Sequence, residues 1–203
     1  MSAPTTSGTA AGHPPAGGRP DLPDQVVIQS AGRGPATWAL GSLFEHLAGA
    51  GQTGGQLGVA VVSQPPGAAS PLHVHTREAE AFYLLAGTMT YRAGSRLAHL
   101  AAGDFIYLPR GVPHAFRISG DIPARFLALT VPGGLMDLYD EAGRPAPEHR
   151  LPAPGEVDLA ADVGRWLHLA PGYGLQIIGP PMPGTETAPA SAPAGTRDRA
   201  GPE

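Results

Sequence analysis

From residue 38 to residue 131 the chain alternates apolar and polar side chains in short stretches with a period of two. That is the period of extended backbone, whose successive side chains face opposite ways. The pattern predicts strands over 38–47, 57–63, 72–75, 80–86, 89–92, 96–100, 105–108, 114–118 and 124–131, separated by breaks rich in glycine and proline. Gly94-Ser95 stands between two alternating runs and predicts a hairpin. Nine short strands with no helix between them predict an all-β sandwich or jelly-roll β-barrel. Beyond residue 131 the period lengthens to that of a helix. Residues 135–141 and 157–169 have helical spacing, with Leu159, Val163, Trp166 and Leu167 forming one apolar face, and are expected to pack outside the barrel. Gly179-Pro180-Pro181 is expected to end the ordered part.

Composition sets the limits of the domain. Residues 1–23 and 183–203 are mostly Ala, Gly, Pro, Ser and Thr, too poor in bulky apolar side chains to offset the entropy of ordering, so both are expected to be disordered tails. Residues 24–182 remain as one domain of a size that builds a single core. The chain has no Cys and no Lys, and all thirteen of its basic side chains are Arg. This excludes thiolate nucleophiles, Cys-held metals and internal lysine imines. A formal net charge of −4 without a basic stripe argues against nucleic acid. There is neither a long apolar run nor a charged-then-apolar leader pattern, so no membrane segment or secretory signal is expected, and the cytoplasm is the default compartment.

What remains is metal chemistry. His73 and His75 are two apart, so on a strand both imidazoles project from one face. A turn near Arg77 would bring the carboxylate of Glu80 beside them, and a closed sheet would return His114 from a distant strand. Imidazole with carboxylate suits one divalent transition metal per subunit: Ni, Co, Mn, Fe, Cu or Zn. Four protein ligands on a six-coordinate ion leave two positions open, which points to chemistry and not to structural support. Glu78 follows His75 after only two intervening residues and reads as a rim or salt-bridge residue. Arg77 and Arg110 read as surface salt-bridge residues, and His13, His46, His99, His149 and His168 as surface or packing histidines.

The segments containing these residues resemble a known family. Gly67, His73, His75, Glu80 and Gly87, followed by Gly103, Pro109, Gly111 and His114, match the two motifs of the cupin superfamily at nine positions. The sequence departs from the second motif at Ile118, where an Asn is usual. Across most of residues 33–181 the chain resembles the small single-domain cupins that include bacterial quercetin 2,3-dioxygenases. The resemblance implies a single jelly-roll barrel, His73, His75, Glu80 and His114 as metal ligands, and ring cleavage of a flavonol or related enolisable aromatic by O2. Glu80 would take the proton of the substrate's 3-hydroxyl, and the products would be a depside and carbon monoxide. The parity of the ligands selects Phe82, Leu84 and Phe116 as inner-face neighbours of a small aromatic or phenolic substrate, with Tyr91 and Tyr107 further candidates. A homodimer is the assembly implied. Two other functions compete: an oxygen-independent, metal-dependent isomerase, cyclase or lyase acting on a polyketide-like or phenolic metabolite, and a non-catalytic small-molecule sensor.

Overall fold

The computed structural model describes residues 26–184. The two expected tails lie outside these residues, apart from residues 183 and 184, as does His13. Twelve strands and three short helices make up the described chain. Strands β1 (Ala36–Ala39) and β2 (Ser42–Ala48) precede helix α1 (Ala50–Thr53) and strand β3 (Gly58–Gln64). Next come β4 (Pro71–His75), β5 (Ala79–Ala86), β6 (Thr88–Ala93), β7 (Arg96–Ala101), β8 (Phe105–Leu108), β9 (His114–Ile118) and β10 (Ala124–Val131). Helix α2 (Leu135–Ala142), the short strand β11 (Arg144–Pro145), helix α3 (Leu159–Leu169), a 3-10 turn (Ala170–Tyr173) and β12 (Leu175–Pro181) complete it.

The strands form two antiparallel sheets, in the orders β11-β1-β2-β3-β10-β5-β8 and β12-β4-β9-β6-β7. The sheets pack face to face as a jelly roll. Phe44, Val62, Phe82, Leu84 and Phe126 of the larger sheet meet Met89, Tyr91 and Ile118 of the smaller in one buried cluster. Full burial of side chains of this size contributes roughly 1.5–3 kcal/mol each. The all-β expectation holds, and the hairpin at Gly94-Ser95 joins β6 to β7 as expected, with Ala93 opposite Arg96.

The expected strand over 38–47 is in fact two strands. Leu40 and Gly41 both have positive φ, 54° and 69°, and Ala39 pairs with Ser42. Two successive positive φ angles make the tight reversal whose twist suits antiparallel strands. Leucine rarely takes this conformation, so alternation alone carried the expected strand through the turn. The other departures lie at the C-terminal end. Gly179-Pro180-Pro181 forms the end of β12, the last strand among the described residues, where Pro181 pairs with Pro71 at the edge of the smaller sheet. Proline is tolerated there because an edge strand has amides that need no ladder partner.

Helices α2 and α3 lie outside the sheets. A second cluster, Leu135, Leu138, Ala142, Trp166, Ala170 and Leu175, fastens them to the strands. The buried stripe of α3 differs from the one expected. Trp166 is buried, but Leu159, Val163 and Leu167 are exposed, and the stripe's other buried member is Asp162. Asp162 accepts hydrogen bonds from Arg144 at 2.7 Å and Arg165 at 3.1 Å, and Arg165 also donates to the carbonyl of Ala142 at 2.8 Å. A charged side chain with its partners thus holds a position that apolar periodicity assigns to the surface. Among the described residues no helix is long and apolar enough to cross a membrane.

Candidate metal centre

His73 and His75 lie on the same face of β4, which is held between two other strands. On one side Leu175 and Ile177 of β12 pair with His75 and His73, and on the other His114 of β9 pairs with His73. Glu80 comes from β5 in the opposite sheet, so the group spans the interface between the two layers. All four residues are buried, and one ligand atom from each lies within 4.8 Å of the others. The ring centroids of His73 and His114 are 4.2 Å apart, those of His73 and His75 5.0 Å, and those of His75 and His114 5.2 Å.

Two backbone carbonyls orient the rings. His73 donates from Nδ1 to the carbonyl of Pro71 at 2.7 Å, and His114 donates from Nδ1 to that of Val112 at 2.8 Å. Each bond places the proton on Nδ1 and leaves the Nε2 lone pair facing the cluster, as a metal ligand requires. Glu80 Oε2 lies 3.4 Å from His114 Nε2 and 3.7 Å from His75 Nε2. Even so, both ring nitrogens of His75 and Nε2 of His114 lack a hydrogen-bond partner. Buried polar atoms are rarely left so. Orphaned lone pairs converging with one carboxylate fit a single metal ion. With ligand bonds of about 2.0–2.2 Å, opposed donors stand about 4 Å apart, close to the spread observed.

Electrostatics support that fit. Burial, reinforced by the neighbouring His114, pushes the His73 imidazole down from 6.5 to about 4. Burial also lowers His75, against the opposing charge of Glu80. Both are therefore neutral, ligand-ready imidazoles near neutral pH. For Glu80, burial favours the protonated form but is outweighed by His75, His114 and His73, so its carboxyl sits below the usual range. His114 is held above the ordinary histidine value, because Glu80 and the Val112 carbonyl outweigh the effect of burial.

Around the cluster the inner faces are aromatic. Phe82 and Leu84 follow Glu80 along β5 and are buried, and Phe116 follows His114 along β9. Tyr91 lies 6.1 Å from the His114 ring at 26° and 5.6 Å from Phe116. Tyr107 does not join them. It pairs with Ala81 while Leu108 pairs with Glu80, so Leu108 takes the inward position and Tyr107 is 58% exposed. Aromatic identity suggested Tyr107; strand parity excludes it.

Two aromatics escaped the sequence reading. Phe126, opposite Leu84 on β10, packs edge-on against Phe82 at 5.0 Å. Tyr139 reaches in from α2 and stacks on Phe44 at 4.3 Å. Alternation along 124–131 contained the signal for Phe126, but only strand pairing shows which face is inward. Tyr139 had no signal, because its helix lies outside the motif segments.

Glu78 is not a rim residue. It is buried, its Oε2 has no partner, and burial raises its carboxyl above the usual range. Arg77 donates to the carbonyl of Gly172 at 2.8 Å and makes no salt bridge among the described residues. His46 contacts Asp140 at 2.8 Å, His99 meets the Thr90 hydroxyl at 3.1 Å and His149 meets Glu45 at 3.1 Å, all apart from the cluster. Ile118 is buried in the core and its amide donates to the carbonyl of Ala68 at 2.8 Å, so backbone pairing organises the segment without the usual Asn.

Residues 60–130, which contain all four clustered side chains, match the family model described as a cupin domain. The chain therefore carries a cupin domain. Over 134 residues it is 28% identical to the quercetin 2,3-dioxygenase of Bacillus subtilis, covering 65% of this chain and 40% of that protein. Over 67 residues it is 30% identical to an oxalate-binding protein of Thermotoga maritima, covering 33% of this chain and 55% of that protein. The chain thus spans only 40% and 55% of these two curated relatives. The crystal structure of a predicted oxalate decarboxylase from Thermotoga maritima superposes with a TM-score of 0.47 at 23% identity, covering 53% of this chain and 99% of that one.

Proposed function

We propose that this protein is a metal-dependent dioxygenase that cleaves a flavonol or a related enolisable aromatic with O2. The observation that carries the reading is the buried cluster of three histidines and one glutamate, set against an aromatic wall of Phe82, Phe116 and Tyr91. His73, His75, Glu80 and His114 would hold the metal, which supplies Lewis-acid activation of an enolate oxygen and a place for oxygen to react. Glu80 accepts the substrate's hydroxyl proton: among the four it alone offers a carboxylate, and neighbouring imidazoles keep it ionised and ready. The carbonyls of Pro71 and Val112 hold two imidazoles in orientation, so proton traffic falls to Glu80 and not to their Nδ1 atoms. Phe82 and Phe116 exclude water and pack against a flat ligand. Similarity to a curated quercetin 2,3-dioxygenase supports the choice of substrate class.

An oxygen electrode tests this on metal-reconstituted protein supplied with quercetin. The expected result is oxygen consumption with loss of the flavonol's long-wavelength absorbance and release of carbon monoxide. If flavonols bind under each of Ni, Co, Mn, Fe, Cu and Zn without oxygen uptake, the dioxygenase reading is wrong. The oxygen-independent isomerase, cyclase or lyase then replaces it.

A further inference from the structure

The Tyr91 hydroxyl is buried and has no hydrogen-bond partner. The residue is fully shielded from bulk solvent. It shares the inner face of the smaller sheet with the cluster: Tyr91 pairs with Phe116 and Ala93 with His114, which puts Tyr91 two residues along from the cluster's own row. Its ring lies nearly parallel to that of His114. Its aromatic neighbours Phe82, at 5.7 Å, and Phe116 offer no acceptor. The charge of Glu80 acts on its phenol, which places it in electrostatic range of the cluster, and together with burial keeps it protonated. It is therefore a donor in want of an acceptor.

An unpaired buried hydroxyl destabilises a fold, and a fold retains one where a ligand completes it. We propose that Tyr91 forms a hydrogen-bond-donor subsite beside the metal centre. There it takes a carbonyl or carboxylate oxygen adjacent to the ligand oxygen held at the cluster. The ligand class is then one with two vicinal oxygens, one anionic and metal-binding, the other a neutral or anionic acceptor. An enolised α-hydroxyketone and a small dicarboxylate share this chemistry. The inference rests on the metal-centre reading and narrows the substrate class.

The test compares wild type with Tyr91→Phe, which keeps the ring and removes only the hydroxyl. Both proteins are metal-loaded to equal content with oxygen excluded. Binding of 3-hydroxyflavone is followed by fluorescence and binding of oxalate by calorimetry, and thermal unfolding is measured without ligand. The expected result is about 5- to 30-fold weaker binding of the preferred ligand by Tyr91→Phe. Its ligand-free melting temperature should be unchanged or up to about 4 °C higher, because an orphaned polar atom is gone. Weakened binding of oxalate, with no binding of 3-hydroxyflavone to either protein, supports the donor subsite while removing the flavonol reading. Equal affinities for the two proteins, failure of wild type to bind either probe, or a lower melting temperature for Tyr91→Phe would each overturn the inference; the last would show that the hydroxyl serves the fold.

Discussion

Removing the metal should leave a protein whose stability falls on mild acidification, with His73 contributing to the fall. In the folded chain its imidazole titrates near 4, against 6.5 for an ordinary histidine. A folded state with the lower pKa binds fewer protons, so acid favours the unfolded chain throughout that window. The contribution is fully present above about pH 6.5 and gone below about pH 4. Linkage gives a loss on the order of 2 kcal/mol between pH 7 and pH 4.5 from this residue alone. Burial of His75 acts in the same direction. His114, raised above its ordinary value, acts oppositely: its contribution is present below about pH 6.5 and lost as pH rises through its folded pKa. Urea unfolding of the chelator-treated protein across this range is the assay. At a typical slope of about 1–3 kcal/mol per molar, His73 accounts for a midpoint decrease of about 1–2 M. His73→Gln removes the titration and should remove most of that decrease. A wild-type midpoint that is flat from pH 7 to 4.5, or a variant that loses as much as wild type, would refute the reasoning.

Three further outcomes follow from the geometry. Glu80→Gln, compared at equal metal occupancy, should lower flavonol turnover by about 10²- to 10⁴-fold in steady-state kinetics while retaining ligand binding, since an amide cannot accept the proton. Glu78→Gln should keep metal content within about twofold of wild type by elemental analysis, whereas His114→Ala should lose most of it; Glu78→Gln should also unfold at the same or higher urea concentration at pH 7, because burial disfavours the charge that the amide lacks. Leu175→Ala should cost about 2–5 kcal/mol in denaturant unfolding and weaken metal retention, because the side chain is fully buried and its backbone pairs with His75.

The sequence was most legible where one physical rule acted alone. Seven strands from β4 to β10 follow period-two alternation between turns that, except for Thr76-Arg77-Glu78, contain a glycine, and their expected ends fall within one residue of the observed ones. The four clustered side chains were legible because strand parity and motif spacing constrain the same residues. Tertiary pairing hid the rest. Tyr107 and Phe126 are both aromatics on alternating strands, and only the register of β8 and β10 against β5 turns one outward and the other inward. Asp162 occupies a buried helical position because Arg144, eighteen residues earlier, and Arg165 accompany it, which periodicity does not record. Strand β12 was missed because its four-residue start, Leu175-Gln176-Ile177-Ile178, runs into Gly-Pro-Pro, a local stop signal that an edge position beside β4 tolerates.

The position of β12 also bears on when the metal site comes into being. Strand β4, which carries two of the four clustered side chains, pairs with β9 through His73 and His114 and with β12 at four positions. A ribosome delivers residues in order, at about 5–20 per second, and domains begin to fold as they emerge. His73, His75, Glu80 and His114 therefore all leave the ribosome well before Leu175–Pro181, the segment that flanks two of them, has been made. During that interval β4 lacks its β12 partner, so the edge beside His73 and His75 is open. Final assembly of the cluster thus belongs to the last stretch of synthesis.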